Sequence, residues 1–215
     1  AHEVGTRLGV IRGRAEFVGL KLHDRPDVKK NAEIILMQID RVSKLIRSLL
    51  NLARGDQYQA AAATNISSVV SEVLDLMSHE FTRGEIQLKN DLPEGLMAKA
   101  SAGPLHQVFL NLLVNSVHAI QSAKVAGLQR NHFIRLYSED LDDKWAVVVE
   151  DSGCGISEAN MKHLFKPFFT TKDIGSGTGL GLATSYRIVE SWGGNITVKS
   201  QVDQGAEFRI ILPKK

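Results

Sequence analysis

Four glycines at alternate positions constrain this chain most, because they lead directly into an apolar-periodic segment. The run is Gly175–Leu182, and the segment continues as Ala183–Val189. This pattern predicts a flexible loop that opens a helix, and free amides at a helix N-terminus form a phosphate site. Leu-Ala follows the last glycine, where a P-loop requires Lys-Ser/Thr, and no hydrophobic strand precedes the run as in a dinucleotide fingerprint. Taken alone, the run is equally compatible with a mobile linker.

The first 53 residues carry two segments whose apolar side chains alternate by four and three. This spacing predicts helices over residues 1–22 and 28–53, separated by the turn residues and proline of 23–27. A hairpin of about 50 residues cannot bury two wide stripes by itself, which favours a dimeric four-helix bundle. The alternative is a hairpin packed on its own second domain. The seam residues are Val4, Leu8, Ile11, Ala15, Val18 and Leu22, then Ile35, Ile39, Val42, Ile46, Leu49 and Ala53.

The remaining residues predict a second domain after a linker. Residues 56–65 lose the seam and contain four alanines, so the predicted domains are 1–55 and 66–215 with 56–65 between them. The predicted helices are 67–77, 104–123, 157–164 and 180–192. The predicted strands are 86–90 with a short partner at 96–100, then 133–138 and 146–149 around an acidic turn at 139–143, and finally a hairpin of 195–200 and 206–212.

Composition excludes few classes of protein. The net charge is +2 from 26 basic and 24 acidic residues, which predicts neither nucleic acid nor direct membrane contact. No apolar run approaches the ~20 residues of a membrane-spanning helix. The single Cys154 permits no internal disulfide and fits a reducing compartment, so we expect a cytoplasmic protein. The abrupt start inside a helix predicts a fragment of a longer protein.

Two asparagines lie four residues apart on the predicted helix 104–123 and therefore share a face. Asn111 and Asn115 stand within an apolar run, where unsatisfied amides cost about 1–3 kcal/mol each. A hydrated Mg²⁺, which takes oxygen ligands, is one partner that suits them. Ordinary bonding between amide and backbone is the alternative.

A carboxylate and an aromatic cluster follow further along the chain. Asp151 ends an apolar strand and precedes Gly153 and Gly155, so it could accept from an exocyclic amine of a flat ring, although a plain Asp-Ser-Gly turn looks similar. Phe165, Phe168 and Phe169 precede a polar loop and could anchor a lid that leaves Lys172 free to reach a phosphate. The alternative is core packing beside a solvated lysine.

Taken in order, these segments resemble the N, G1, F and G2 boxes of sensor histidine kinases. The boxes are Asn111-x-x-x-Asn115, Asp151-x-Gly153-x-Gly155, Phe165-x-x-Phe168-Phe169 and Gly177–Leu182. The resemblance covers residues 66–215 and implies the α+β two-layer sandwich of the Bergerat ATP-binding fold, which is shared with Hsp90, MutL and type II topoisomerases. It implies ATP and Mg²⁺ as cofactors, with Asn115 as the metal ligand. The other implied nucleotide-binding residues are Asn111, His118, Asp151, Gly153, Gly155, Ile156, Lys172, Gly177, Thr178, Gly179, Leu180, Gly181 and Leu182.

The helical hairpin resembles the dimerisation and histidine-phosphotransfer domain of the same family. Residues 2–8 look like its H box, with His2 as the phosphoacceptor, Glu3 as its proton acceptor and Thr6 at the position that orients water for dephosphorylation of the partner. By its seam position His2 should project toward solvent, and neutral imidazole is a nucleophile near pH 7. The resemblance implies a homodimer that autophosphorylates and passes the phosphoryl group to an aspartate of a response regulator receiver domain.

Three positions depart from the family pattern. Arg7 stands where proline is common, His118 where relatives often have lysine, and Ala206 where threonine is frequent. None removes a group that the reaction requires. The alternative functions are an ATPase of the same fold, a serine kinase of the anti-sigma type with a helical dimerisation arm, and a pseudokinase scaffold.

Overall fold

The computed structural model describes residues 2–22, 25–53, 63–172 and 177–215. The chain divides into two compact units, Ala1–Arg54 and Gly55–Lys215. Among the described residues, no helix combines the length and the apolar character needed to cross a membrane.

The first unit is a pair of helices, α1 (His2–Lys21) and α2 (Pro26–Ala53). Arg12 bonds to Asp40 at 2.6 Å, whereas Gly19 lies against Ala32, so the helices run antiparallel. This confirms both predicted helices.

Among the hairpin side chains whose burial the structure describes, the buried ones form a narrow strip. Ala15, Ala32 and Ile39 are buried, whereas the seam residue Ile35 is 46% exposed. Large apolar side chains therefore remain uncovered along both helices. They are Val10, Ile11, Phe17, Val18, Leu20, Leu22, Ile34, Ile35, Met37 and Val42.

The second unit packs three long helices on a five-stranded sheet. The sheet order is β2-β4-β5-β7-β6, with β2 parallel to β4 and the other pairs antiparallel. A separate ladder joins β1 and β3. The elements are β1 (Ala63–Asn65), α3 (Ile66–Arg83), β2 (Gln87–Asn90), β3 (Met97–Lys99), α4 (Ala102–Val125), β4 (Phe133–Leu141), β5 (Lys144–Asp151), α5 (Glu158–Met161), α6 (Gly181–Ser191), β6 (Asn195–Gln201) and β7 (Gly205–Pro213).

One hydrophobic core joins the helical layer to the sheet. Helix α4 contacts both α3 and α6, and its apolar run is buried because neighbours cover it on three sides. Helix α3 contributes one apolar face to this core, since Val69, Val70, Val73, Leu74 and Met77 are all buried. Each such side chain contributes about 1.5–3 kcal/mol on burial. The α+β layered architecture that the resemblance implied is present.

Several boundaries and pairings differ from the predictions. The strand predicted at 96–100 pairs as β3 with β1 and not with 86–90, and all four residues of β2, which forms one edge of the sheet, are exposed. Within the predicted linker 56–65, Ala63–Asn65 form β1, and Asn65 caps α3 by accepting from Ser68 N at 3.2 Å. Residues 54–62 lie outside the described residues.

The predicted acidic turn at 139–143 is also shorter than expected. Glu139 and Asp140 belong to β4, and only Asp142 and Asp143 lie between the strands. The two acidic strand residues pair with Arg209 and Lys214, which compensates for their low strand propensity.

Candidate functional site

Helix α4 presents its polar side chains to the first turn of α6. Asn111 Nδ2 donates to Gly181 O at 3.2 Å and to Ser185 Oγ at 3.1 Å, and that hydroxyl donates to the same carbonyl at 3.0 Å. The amide group of Asn111 therefore bonds to backbone and hydroxyl, as in the alternative raised from the sequence. Its position fixes the start of α6 relative to α4.

One turn further along α4, Asn115 and His118 meet Lys172. The ammonium donates to Asn115 Oδ1 at 3.4 Å and lies 2.6 Å from His118 Nδ1. Because an ammonium can only donate, Nδ1 must be the unprotonated nitrogen. Burial lowers the pKa of both Lys172 and His118, and the lysine charge lowers that of His118 further. The Asn115 oxygen thus faces a cation, which is the orientation that a metal ligand needs.

Asp151 ends β5 and is only 3% exposed. Gly153 N donates to Oδ1 at 2.8 Å, and Ser116 Oγ donates to Oδ2 at 3.1 Å. Burial raises the pKa of Asp151 from its ordinary 3.8 to about 6, against the opposing effect of these hydrogen bonds. A buried carboxylate that is ionised near neutral pH is a strong acceptor for an amine.

The loop after Asp151 is enclosed by protein on two sides. Cys154 N donates to Ala119 O at 3.1 Å, and Ile156 N donates to Ser200 Oγ at 2.8 Å. A Cβ on Gly153 would lie 2.5 Å from the Ala119 Cβ, and one on Gly155, where φ is 70°, would overlap the backbone of the β6 end. Packing of α4 and β6 on the loop therefore accounts for both glycines.

The described part of the glycine run is Gly177–Leu182, and residues 173–176 lie outside the described residues. Gly179 has φ 65°, and a Cβ there would overlap the backbone of Phe168. Leu180 is buried and precedes α6, and as an apolar N-cap it supplies no side-chain acceptor. Within the described part of the chain, the first amides of α6 therefore lack a side-chain cap, which leaves an N-terminus suited to phosphate.

The three phenylalanines do not share one environment. Phe165 packs on Tyr186 of α6 with 5.1 Å between ring centroids, and Phe169 lies 5.7 Å from His163. Phe168 is 58% exposed and has φ 68°. Two rings therefore anchor this segment, whereas the backbone of Phe168 is what contacts Gly179.

The predicted phosphotransfer residues belong to the first unit. His2 begins α1, and Thr6 lies one turn later and is exposed. The side chains of His2 and Glu3 lie outside the described residues.

Sequence reasoning missed two hydroxyl groups at the site. Ser116 adjoins Asn115 but bonds to Asp151, 35 residues away, and no spacing rule indicates that contact. Ser185 could have been found, since it lies four residues after Gly181 on the same helix face.

Comparisons with known proteins agree with this geometry. Residues 100–215 match the family described as histidine kinase-, DNA gyrase B-, and HSP90-like ATPase. The histidine-protein kinase AtoS of Escherichia coli K12 is 34% identical over 214 residues, which cover 99% of this chain and 33% of AtoS. This chain thus spans about a third of that relative.

Solved structures extend the likeness to both units. Full-length ShkA in complex with AMPPNP aligns with a TM-score of 0.79 at 23% identity, over 99% of this chain and 44% of ShkA, which supports the fold. Histidine kinase ThkA in complex with the response regulator TrrA aligns with a TM-score of 0.66 at 25% identity, over all of this chain and 60% of ThkA.

The family model covers more than half of the chain, and it spans α4, the Asp151 loop and the α6 N-terminus. The chain therefore belongs to the histidine kinase-, DNA gyrase B- and HSP90-like ATPase family. The resemblance to sensor histidine kinases is confirmed by the match to AtoS, which covers 99% of this chain.

The buried Asp151 carboxylate should lower the free energy of unfolding near neutral pH. We expect Asp151→Asn to stabilise the nucleotide-free protein at about pH 7.5 by about 2–3 kcal/mol, because the folded pKa exceeds the ordinary value by about 2. Asparagine keeps the oxygen that Gly153 N needs, and the Ser116 hydroxyl can rotate to accept. Urea denaturation measures the effect.

The sign follows from proton linkage. Asp151 contributes its full stability below pH ~4 and loses it as the pH rises through about 6, so the gain in Asp151→Asn should shrink from pH ~7.5 to ~5. The control is Asp75→Asn, which alters an exposed carboxylate on α3. A gain that is independent of pH would contradict the assignment.

Gly179 and Gly181 should respond differently to substitution by alanine. Gly179→Ala introduces a Cβ at φ 65° against backbone, which costs about 1–3 kcal/mol, and it should lower the melting temperature and weaken ATP binding roughly tenfold. Gly181→Ala places its Cβ 3.6 Å from the Asn111 Cγ, an ordinary contact, and should melt like the wild type. Equal melting of the two variants would show that the loop is not constrained by Phe168.

Proposed function

We propose that this chain is the kinase core of a two-component sensor histidine kinase. It uses ATP to phosphorylate His2 and passes the phosphoryl group to an aspartate of a response regulator. The observation that carries the proposal is the joint presence of buried Asp151, the cation-facing Asn115 oxygen and the uncapped α6 N-terminus within one ATPase-family domain. Similarity to AtoS favours a histidine kinase over the other ATPases of this fold.

The nucleotide roles follow from the polar groups of the site. Asp151 accepts from the exocyclic amine of adenine, and the amides of Gly179–Leu182 donate to phosphate oxygens. When nucleotide binds, the Lys172 ammonium moves from His118 to the phosphates and adds its positive charge there. His118 can then donate a hydrogen bond to a phosphate oxygen. When bound, MgATP supplies the transferable phosphoryl group and a partly neutralised phosphate chain.

Asn115 fits a magnesium site of a particular kind. Its oxygen already faces the Lys172 ammonium, so it is oriented toward a cation. Among the described residues, no three His, Cys, Asp or Glu side chains gather as a metal cluster. The protein would therefore contribute a neutral amide oxygen, which suits Mg²⁺ when phosphates and water complete its coordination.

The phosphoryl transfer itself is assigned to the H box. One nitrogen of neutral His2 forms the N–P bond as the P–O bond to ADP breaks, and Glu3 accepts the proton from the other nitrogen. Positioned charges provide most of the rate enhancement in such reactions. The phosphohistidine then donates its phosphoryl group to the carboxylate of the receiver domain.

The response regulator partner is inferred from a relative. ThkA, which is 25% identical to this chain, is known in complex with the response regulator TrrA. We extend that partner class to this chain, and Thr6 would orient water when the bound regulator is dephosphorylated. The predicted cytoplasmic location is part of the same proposal.

A homodimer is proposed from the uncovered faces of the hairpin. The exposed apolar residues of α1 and α2 include the seam positions Ile11, Val18, Ile35 and Val42. Pairing with a second hairpin would bury them in a four-helix bundle. Dimerisation would therefore explain the heptad spacing, because a single hairpin leaves these seam positions exposed.

Labelling tests the function. Incubation with γ-labelled ATP and Mg²⁺ should give acid-labile, base-stable label on the wild type and none on His2→Gln, because only a phosphoacceptor histidine forms the N–P bond. His79→Gln, which alters an exposed histidine on α3, should keep the label. Label retained in His2→Gln contradicts the assignment, and ATP turnover without labelled protein would indicate an ATPase.

Sedimentation tests the dimer. Ile35→Asp places a charge in the proposed interface and should shift the protein to monomer. Leu76→Asp alters an apolar residue of α3 that is 65% exposed, and it should leave the dimer intact. A monomeric wild type would refute the bundle without bearing on nucleotide binding.

A further inference from the structure

The connection between α4 and β4, residues 126–132, directs an arginine onto two separate turns. Arg130 donates from one terminal nitrogen to Gly153 O at 2.7 Å and from the other to Asp203 O at 2.8 Å. Gly153 belongs to the loop after Asp151, and Asp203 lies in the turn between β6 and β7. One planar guanidinium thus joins two turns that are 50 residues apart in sequence.

The two turns also bond to each other directly. Asp203 N donates to Cys154 O at 2.8 Å, and Asp203 has φ 60°, a backbone conformation that neighbours must maintain. Arg130 therefore completes a three-way junction of loop, turn and connection. The fork geometry of arginine suits this task, because two fixed donors meet two carbonyls at once.

The junction reaches the base-binding carboxylate through one residue. Gly153 N donates to Asp151 Oδ1, while Gly153 O accepts from Arg130, so the same glycine is held from both sides. His132 of the same connection lies 3.2 Å from Ser152 Oγ, which accepts from Phe133 N. Two side chains of one connection thus support the segment that carries Asp151.

We propose that Arg130 is a positioning residue for adenine recognition, which holds the Asp151–Gly155 loop against the β6–β7 turn. The inference rests on the proposed ATP binding. In the described part of the chain, Arg130 donates to Gly153 O and Asp203 O and not to the proposed phosphate-binding groups. An arginine that only stabilised the surface would alter the binding of all nucleotides alike. A residue that positions Asp151 alters the binding of adenine nucleotides selectively, because Asp151 accepts from the 6-amino group of adenine, where guanine has a carbonyl.

The test compares Arg130→Ala and Arg130→Lys with Arg135→Ala in the 215-residue protein. Arg135 lies five residues further along the chain, on β4. Its side chain is 47% exposed and forms an ion pair with Asp91 at 2.7 Å. Dissociation constants for ATP and GTP come from displacement of a fluorescent nucleotide, and the label on His2 yields KM and kcat. Melting temperatures report on folding.

We expect Arg130→Ala to weaken ATP binding roughly five- to tenfold and to raise KM by the same factor, with GTP affinity and kcat within about twofold of the wild type. Arg130→Lys should be intermediate, because one ammonium reaches one carbonyl well. Arg135→Ala should match the wild type in every measurement.

Two results overturn the proposal: an unchanged Kd for ATP in Arg130→Ala, or equal weakening of ATP and GTP together with a lowered melting temperature. If Arg130→Ala does not fold, Arg130→Lys decides, and a wild-type Kd in that variant overturns the proposal. A wild type that binds no ATP overturns the proposed function as well, which is a distinct outcome from an unaffected Arg130 variant.

Discussion

Burial of the Asp151 carboxylate is the constraint on which the rest of the site depends. A carboxylate that is 3% exposed needs donors, and the structure supplies Gly153 N and Ser116 Oγ. Both donors must approach closely, so α4 packs on the loop and leaves no room for a side chain at Gly153. Desolvation raises the pKa of Asp151 to about 6, so the buried carboxylate lowers the stability of the fold near neutral pH, which is typical of functional sites.

Helix α4 links the two halves of the site. Its buried face fixes it between α3 and α6, and its polar side chains then reach both ends: Ser116 reaches Asp151, and Asn111 reaches the first turn of α6. The connection that follows α4 adds Arg130 to the same loop. A single rigid helix therefore fixes the Asp151 loop and the first turn of α6 relative to each other, although they lie 30 residues apart in the chain.

Periodic apolar spacing predicted the helices well. The hairpin helices, the core face of α3 and the position of α4 all follow from side chains that recur every three or four residues. Strand pairing was predicted poorly, since β3 pairs with β1 and β2 is an exposed edge. Neighbours in a sheet are set by contacts distant in sequence, which a local pattern does not encode.

By itself, the sequence determined the order of the motifs, the glycines and the family, because those depend on residue type and spacing along one segment. Tertiary structure decided what the motifs contact. Asn111 bonds to α6, Lys172 faces Asn115, and Phe168 supports Gly179 through its backbone rather than its ring. These contacts join residues up to 74 positions apart, and only the packing of α4, α6 and the sheet brings such groups within hydrogen-bonding distance.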